Sequence, residues 1–114
     1  MATHYPKHRE HIQKLVAQLG KEIPDTMAAF GQLHNAAAAD GALSSKEKEL
    51  IALGIAIALR CDGCIAYHVH DAIKAGASRA EMMETIGVAI LMGGGPSLMY
   101  GAETLDAIEQ YLAQ

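Results

Sequence analysis

Apolar side chains recur along this chain at the three- and four-residue spacing of a helix face, and alternation at a spacing of two is nearly absent. That spacing is typical of amphipathic helices and excludes most sheet architectures. Two capping boxes, Ser44 with Glu47 and Ser78 with Glu81, predict helix starts. The predicted helices span residues 8–19, 26–39, 45–59, 61–76, 79–92 and 97–112. The sequence therefore predicts an all-α bundle of about six helices.

Glycine and proline set the other predicted boundaries. We expect Gly20 to end the first helix and Gly76 to cap the fourth. The glycines and the proline at residues 93–96 should break the chain between the fifth and sixth helices. The helix at residues 45–59 is apolar almost all round, as in a buried helix, and residues 81–92 add more apolar surface than a small bundle hides. We therefore expect a homo-oligomer.

Length and composition exclude several classes of protein. A chain of 114 residues has the size of one domain, so we expect a single domain over residues 1–114. Its apolar stretches are shorter than the roughly 20 residues that span a bilayer, and residues 8–11 are polar where a secretory leader would be apolar. A net charge of −4 offers no cationic surface for nucleic acid. We expect a cytoplasmic protein without membrane or nucleic-acid partners.

The two cysteines, Cys61 and Cys64, are separated by two residues. This spacing serves dithiol–disulfide chemistry or half of a zinc site. On a helix, Cys61, Cys64 and His68 fall within about 60° of arc. A helix N-terminus stabilises a thiolate, and an imidazole one turn further on can accept the thiol proton. The sequence therefore predicts two sulfur atoms and one imidazole on a single face.

Two further residues are open to more than one interpretation. Glu49, twelve residues before Cys61, could be the carboxylate that orients the imidazole base, or a solvated member of the charged run at residues 46–49. Sequence alone does not choose between them. His34 lies in an alanine-rich segment, where we expect it to pack or to cap.

The spacing of Glu49, eleven residues, Cys61-x-x-Cys64, three residues and His68 resembles the carboxymuconolactone decarboxylase family, specifically its alkylhydroperoxidase D-like branch. The resemblance covers about residues 25–112. It implies an all-helical fold that assembles as a homotrimer or homohexamer, with Glu49, Cys61, Cys64 and His68 as catalytic residues. It also implies peroxidase activity without a bound cofactor or metal, supplied with electrons by an external dithiol or a lipoyl-bearing partner. Branch members often carry a second histidine directly before the second cysteine, where this chain has Gly63.

The leading hypothesis is a thiol oxidoreductase that reduces a hydroperoxide through a disulfide cycle. Cys64 is the thiol coupled to His68, and Cys61 faces the reductant. One alternative is decarboxylation or isomerisation of a lactone acid, which needs no redox pair. Another is a non-catalytic oligomeric module that is purely structural or that holds zinc through the same four residues, although ligands along one helix face converge poorly on a tetrahedral centre.

Overall fold

The computed structural model describes residues 2–114, which form six helices and no strand. The helices are α1 (Tyr5–Glu22), α2 (Pro24–Ala38), α3 (Ser45–Ala58), α4 (Asp62–Lys74), α5 (Arg79–Gly93) and α6 (Gly95–Leu112). The prediction of an all-α single domain with six helices is confirmed. Within residues 2–114, none of the helices combines the length and apolar character needed to cross a bilayer.

Both predicted capping boxes are present. The Ser44 hydroxyl accepts a hydrogen bond from the Glu47 N–H at 3.1 Å, and the Glu47 carboxylate accepts one from the Ser44 N–H at 3.0 Å. Ser78 and Glu81 form the same pair at 3.1 and 2.8 Å. These bonds satisfy backbone donors that a helix start leaves free, so local chemistry begins α3 and α5 at the predicted residues.

The predicted end of the first helix at Gly20 is wrong, because α1 continues to Glu22. A glycine inside a helix costs only about 1 kcal/mol, which tertiary contacts offset. The stop lies at Ile23, whose helical conformation is disfavoured by the Pro24 ring that follows it.

The other predicted breaks lie close to their expected positions. Gly76 has a φ of +96° directly after the C-cap of α4. Gly94 alone separates α5 from α6, with a φ of +69°. The last helix begins at Gly95, two residues before the predicted start, because Pro96 fits the first turn of a helix, where no N–H is required.

The core lies between α3, α4, α5 and α6, and α4 contributes buried residues on successive turns. The side chains with less than 2% exposure from these helices include Leu53, Ile57, Ile65, Val69, Met82 and Ile108. This packing fixes α4 against α3, and the candidate site is built on these two helices.

The N-terminal end of α1 is fastened to this core through Tyr5. Its backbone N–H donates to the Gln110 side chain at 2.7 Å, and its hydroxyl donates to the Asp62 carboxylate at 3.3 Å. Burial, with the nearby Asp62 charge, raises the pKa of the Tyr5 phenol. This contact holds α1 beside the start of α4.

Two apolar surfaces remain exposed. No residue of α2 is buried, and Phe30 and Leu33 are each 62% exposed. A groove of about 390 Å³ runs between α3 and α5, where Ile51 and Ile55 are about half exposed. The expectation of an all-round buried helix at residues 45–59 is therefore wrong for a single chain, because one of its faces is not covered by any other helix of residues 2–114.

Candidate functional site

The turn between α3 and α4 places the cysteines. Arg60 has a φ of 59°, and its N–H donates to the Ile57 carbonyl at 3.1 Å, while the Cys61 N–H donates to the Ala56 carbonyl at 3.1 Å. This pair of bonds closes α3 in a motif that usually has glycine at the left-handed position. Cys61 then becomes the N-cap of α4, and its Sγ accepts a hydrogen bond from the Cys64 N–H at 3.2 Å. The turn therefore delivers a sulfur atom to the positive end of a helix.

Cys61 and Cys64 form a disulfide with their Cα atoms 5.2 Å apart. The predicted spacing thus brings the two sulfur atoms within bonding distance. The two positions differ, because Cys64 lies inside α4 and packs against the hydrophobic core, whereas Cys61 caps the helix from outside.

Glu49 and His68 form a polar pair next to the cysteines. The His68 Nδ1 lies 2.8 Å from the Glu49 Oε2, and Glu49 is only 8% exposed. A carboxylate accepts hydrogen bonds, so Nδ1 is the nitrogen that donates to Glu49, and a neutral ring in this tautomer has Nε2 as its acceptor. The interpretation of Glu49 as a solvated residue is therefore wrong.

A cavity of about 530 Å³ opens at this site. Three of the four predicted residues, Cys61, Cys64 and His68, line it. Glu49 lies behind His68 and lines a smaller adjoining cavity of about 170 Å³. The structure thus brings the four residues together, with the imidazole between the acid and the cavity of the cysteine pair.

His34 and Asp71 also belong to this region, although neither was predicted as a site residue. His34 is exposed and lines the main cavity, so the expectation that it packs or caps is wrong. Donor atoms of His34, Glu49 and Asp71 all lie within 4.8 Å of one another. These three residues are the ones that could hold a metal ion. Both carboxylates already have imidazole partners at 2.8 Å, however, Glu49 through His68 and Asp71 through His70.

The space at Gly63 is bordered by a histidine from another helix. A Cβ placed on Gly63 would lie 4.0 Å from the Nε2 of His8 in α1. His70, by contrast, packs edge-on against Tyr111 with ring centroids 5.8 Å apart, away from the cavity, as helical spacing predicts. Burial is the main cause that raises the pKa of the Tyr111 phenol to about 12.

The model of the carboxymuconolactone decarboxylase family matches residues 24–107. The chain belongs to this family. The match begins with α2 and ends in α6, so it includes the four predicted site residues and leaves out α1. The resemblance inferred from the cysteine motif is confirmed at the level of the family.

Two relatives from bacteria match most of the chain. An uncharacterized protein from Cupriavidus necator is 35% identical over 105 residues, covering 92% of this chain and 93% of its own length. Uncharacterized protein 4 in the cox locus of Paracoccus denitrificans is 34% identical over 94 residues, covering 82% of each chain.

Two solved structures have the same fold. The apo form of a carboxymuconolactone decarboxylase family protein from Legionella pneumophila is 46% identical, with a TM-score of 0.91, and the match covers 94% of this chain and 96% of that one. A family member from Thermotoga maritima, for which involvement in an antioxidative response has been suggested, is 28% identical with a TM-score of 0.83. That match covers 94% of this chain and 91% of the other.

Proposed function

We propose that this protein is a thiol-dependent hydroperoxide reductase of the alkylhydroperoxidase D-like branch, acting through a disulfide cycle. The observation on which the proposal rests is the bonded pair of Cys61 and Cys64 in one cavity with His68, whose Nδ1 is bound by Glu49. A redox-active pair needs a proton donor and acceptor at the sulfur that reacts, and this arrangement supplies both.

The proposed cycle has three balanced steps. The Cys64 thiolate attacks the terminal oxygen of a hydroperoxide, the O–O bond breaks, and one proton is taken up, which yields an alcohol and a sulfenic acid. The Cys61 thiol condenses with that sulfenic acid, which forms the S–S bond and releases water. An external dithiol, such as a lipoyl group, then reduces the disulfide to two thiols and is itself oxidised to a disulfide.

His68 is the proposed proton carrier. It follows Cys64 by four residues on α4, so the two side chains lie on the same helix face. Its Nε2 takes the Cys64 proton and returns one to the leaving alkoxide, while Glu49 holds the ring and stabilises the imidazolium. Cys61, at the N-cap and outside the core, is the sulfur that the reductant attacks, with Cys64 as the leaving thiolate.

Membership of the family and the antioxidative response suggested for the Thermotoga maritima protein support this proposal. A cycle that depends on a thiol reductant fits a reducing compartment, and we therefore also propose a cytoplasmic location.

The proposal is tested by adding one equivalent of cumene hydroperoxide to the reduced protein. We expect one peroxide to be consumed per chain, two free thiols to be lost, and dithiothreitol to restore both and sustain turnover. Protein alkylated at both cysteines with iodoacetamide is the control and should be inactive. A pair that stays reduced under excess peroxide, or turnover that survives alkylation, would contradict the proposal.

We further propose that the chain assembles as a homotrimer or homohexamer. The apolar groove between α3 and α5 and the exposed apolar residues of α2 support it, since surfaces of this kind are usually covered in solution. Sedimentation should give three or six times the mass of one chain. Ile55→Lys, in the groove, should reduce that mass, whereas Leu43→Lys, equally apolar but in a loop outside the groove, should leave it unchanged. A wild-type monomer would refute the assembly.

A further inference from the structure

The cavity at the cysteine pair is larger and more apolar than hydrogen peroxide requires. Its volume of about 530 Å³ lies in the range that accommodates organic ligands. The wall opposite the cysteines is formed by α1 and α2 through Ile12, Val16, Met27 and Phe30. An apolar body of several carbon atoms would fill this space and exclude water from the sulfur.

One cation interrupts the apolar wall. The Arg9 guanidinium lies over the Tyr67 ring, 5.1 Å from its centroid, and Arg9 lines the cavity. Its Nε is buried and has no hydrogen-bond partner among residues 2–114. A buried donor without an acceptor is costly, and a guanidinium presents parallel donors that match the two oxygens of a carboxylate. The Arg9 guanidinium is therefore the group of this cavity to which an anion would bind.

The other charges of the site orient such an anion. The Asp71 carboxylate lines the same cavity, and Glu49 lies behind His68, within 4.8 Å of Asp71. Like charges repel, so an acid is disfavoured at the Asp71 side and favoured at Arg9. Arg9 belongs to α1, which lies outside the segment matched by the family model.

We propose that the cavity is a binding site for apolar organic acids, with the carboxylate on Arg9 and the apolar body along α1 and α2. Resting on the proposed function, this inference assigns the substrate class: a hydroperoxide that carries a carboxylate at a distance from its O–O group. The carboxylate takes no part in the reaction and is unchanged in the alcohol product, while Cys64 and Cys61 supply the two electrons as in the cycle above.

Two peroxides that differ only in a carboxylate test whether Arg9 binds the acid group of the substrate. We expect Arg9→Met to lower kcat/KM for para-carboxycumene hydroperoxide by about 10- to 100-fold, the value of a lost charge-assisted hydrogen bond. The loss for uncharged cumene hydroperoxide should be at least fivefold smaller, and an unchanged thermal transition shows that the variant is folded. Lys14→Met, an exposed cation on the same helix, should change neither. Dithiothreitol, which is uncharged, serves as reductant in every assay, so the charge effect reports on the peroxide alone. Equal losses for both peroxides, or none for the acid, would overturn the binding of the acid group to Arg9.

A binding measurement separates this inference from the peroxidase activity. Calorimetry on the oxidised protein should show octanoate binding more tightly than 1-octanol, with Arg9→Met removing the difference and Arg9→Lys retaining part of it. Octanoate binding that depends on Arg9 supports the acid site even in a protein that consumes no peroxide. Equal affinity of the wild type and Arg9→Met for octanoate refutes the acid site even in an active peroxidase.

Discussion

Replacing Cys64 by serine is expected to abolish peroxide consumption, whereas Cys61→Ser is expected to retain a single turnover. Cys64 lies one turn before His68 and packs against the core, and in the proposed cycle it is the sulfur that attacks, so its loss should prevent the first step. Without Cys61 the first step still occurs, but the sulfenic acid finds no partner to condense with. Both serine variants keep the size of the side chain, so each remains a fair test of the sulfur itself.

The measurement is peroxide loss followed over one and many equivalents, with trapping of the sulfenic acid by dimedone. Cys61→Ser should consume one equivalent and then yield the dimedone adduct on Cys64. Cys64→Ser should consume none and yield no adduct. The reverse assignment, with the adduct on Cys61, would show that the outer sulfur attacks.

Glu49→Gln is expected to lower the rate of peroxide reduction by about 100-fold, the lower end of what a positioned acid–base group contributes. Glutamine fits the space of Glu49, which is 8% exposed, but carries no charge to stabilise the His68 imidazolium. It can also present its NH₂ group to Nδ1, which would move the ring proton to Nε2 and remove the acceptor.

This prediction is checked by stopped-flow oxidation of the reduced protein and by the alkylation rate of Cys64 with iodoacetamide. Both rates should fall together in Glu49→Gln, because both depend on the thiolate. Glu84→Gln, an exposed acid on α5, is the matched control and should leave both rates unchanged. Unchanged rates in Glu49→Gln, with an intact thermal transition, would mean that the acid is structural only.

Local chemistry explains why much of this fold could be predicted from the sequence. The capping boxes at Ser44 and Ser78 and the left-handed glycine at Gly76 act within a few residues of themselves, so the sequence contains all the information needed. Arg60 shows the limit of this approach. It occupies a position where glycine is usual, and no local pattern marks it, because packing of α3 against α4 enforces the turn.

The candidate site likewise has a part that could be predicted from the sequence and a part that only the folded structure shows. The face shared by Cys61, Cys64 and His68 follows from helical spacing, and the family pattern directed attention to Glu49. Arg9 and His34 reach the cavity from α1 and α2 through tertiary packing, which joins residues distant in sequence and leaves no periodic pattern. In the sequence alone, a basic or imidazole side chain on such a helix is indistinguishable from an ordinary surface residue.

The lack of any buried residue in α2 has a consequence for how this molecule can be altered. Met27, Phe30 and His34 form one side of the cavity, yet they lie on a helix that contributes no buried residue to the hydrophobic core. Substitutions there change the shape of the cavity without removing any side chain from the buried core. The binding of the proposed substrates can therefore be varied on α2 without repacking the core of the chain.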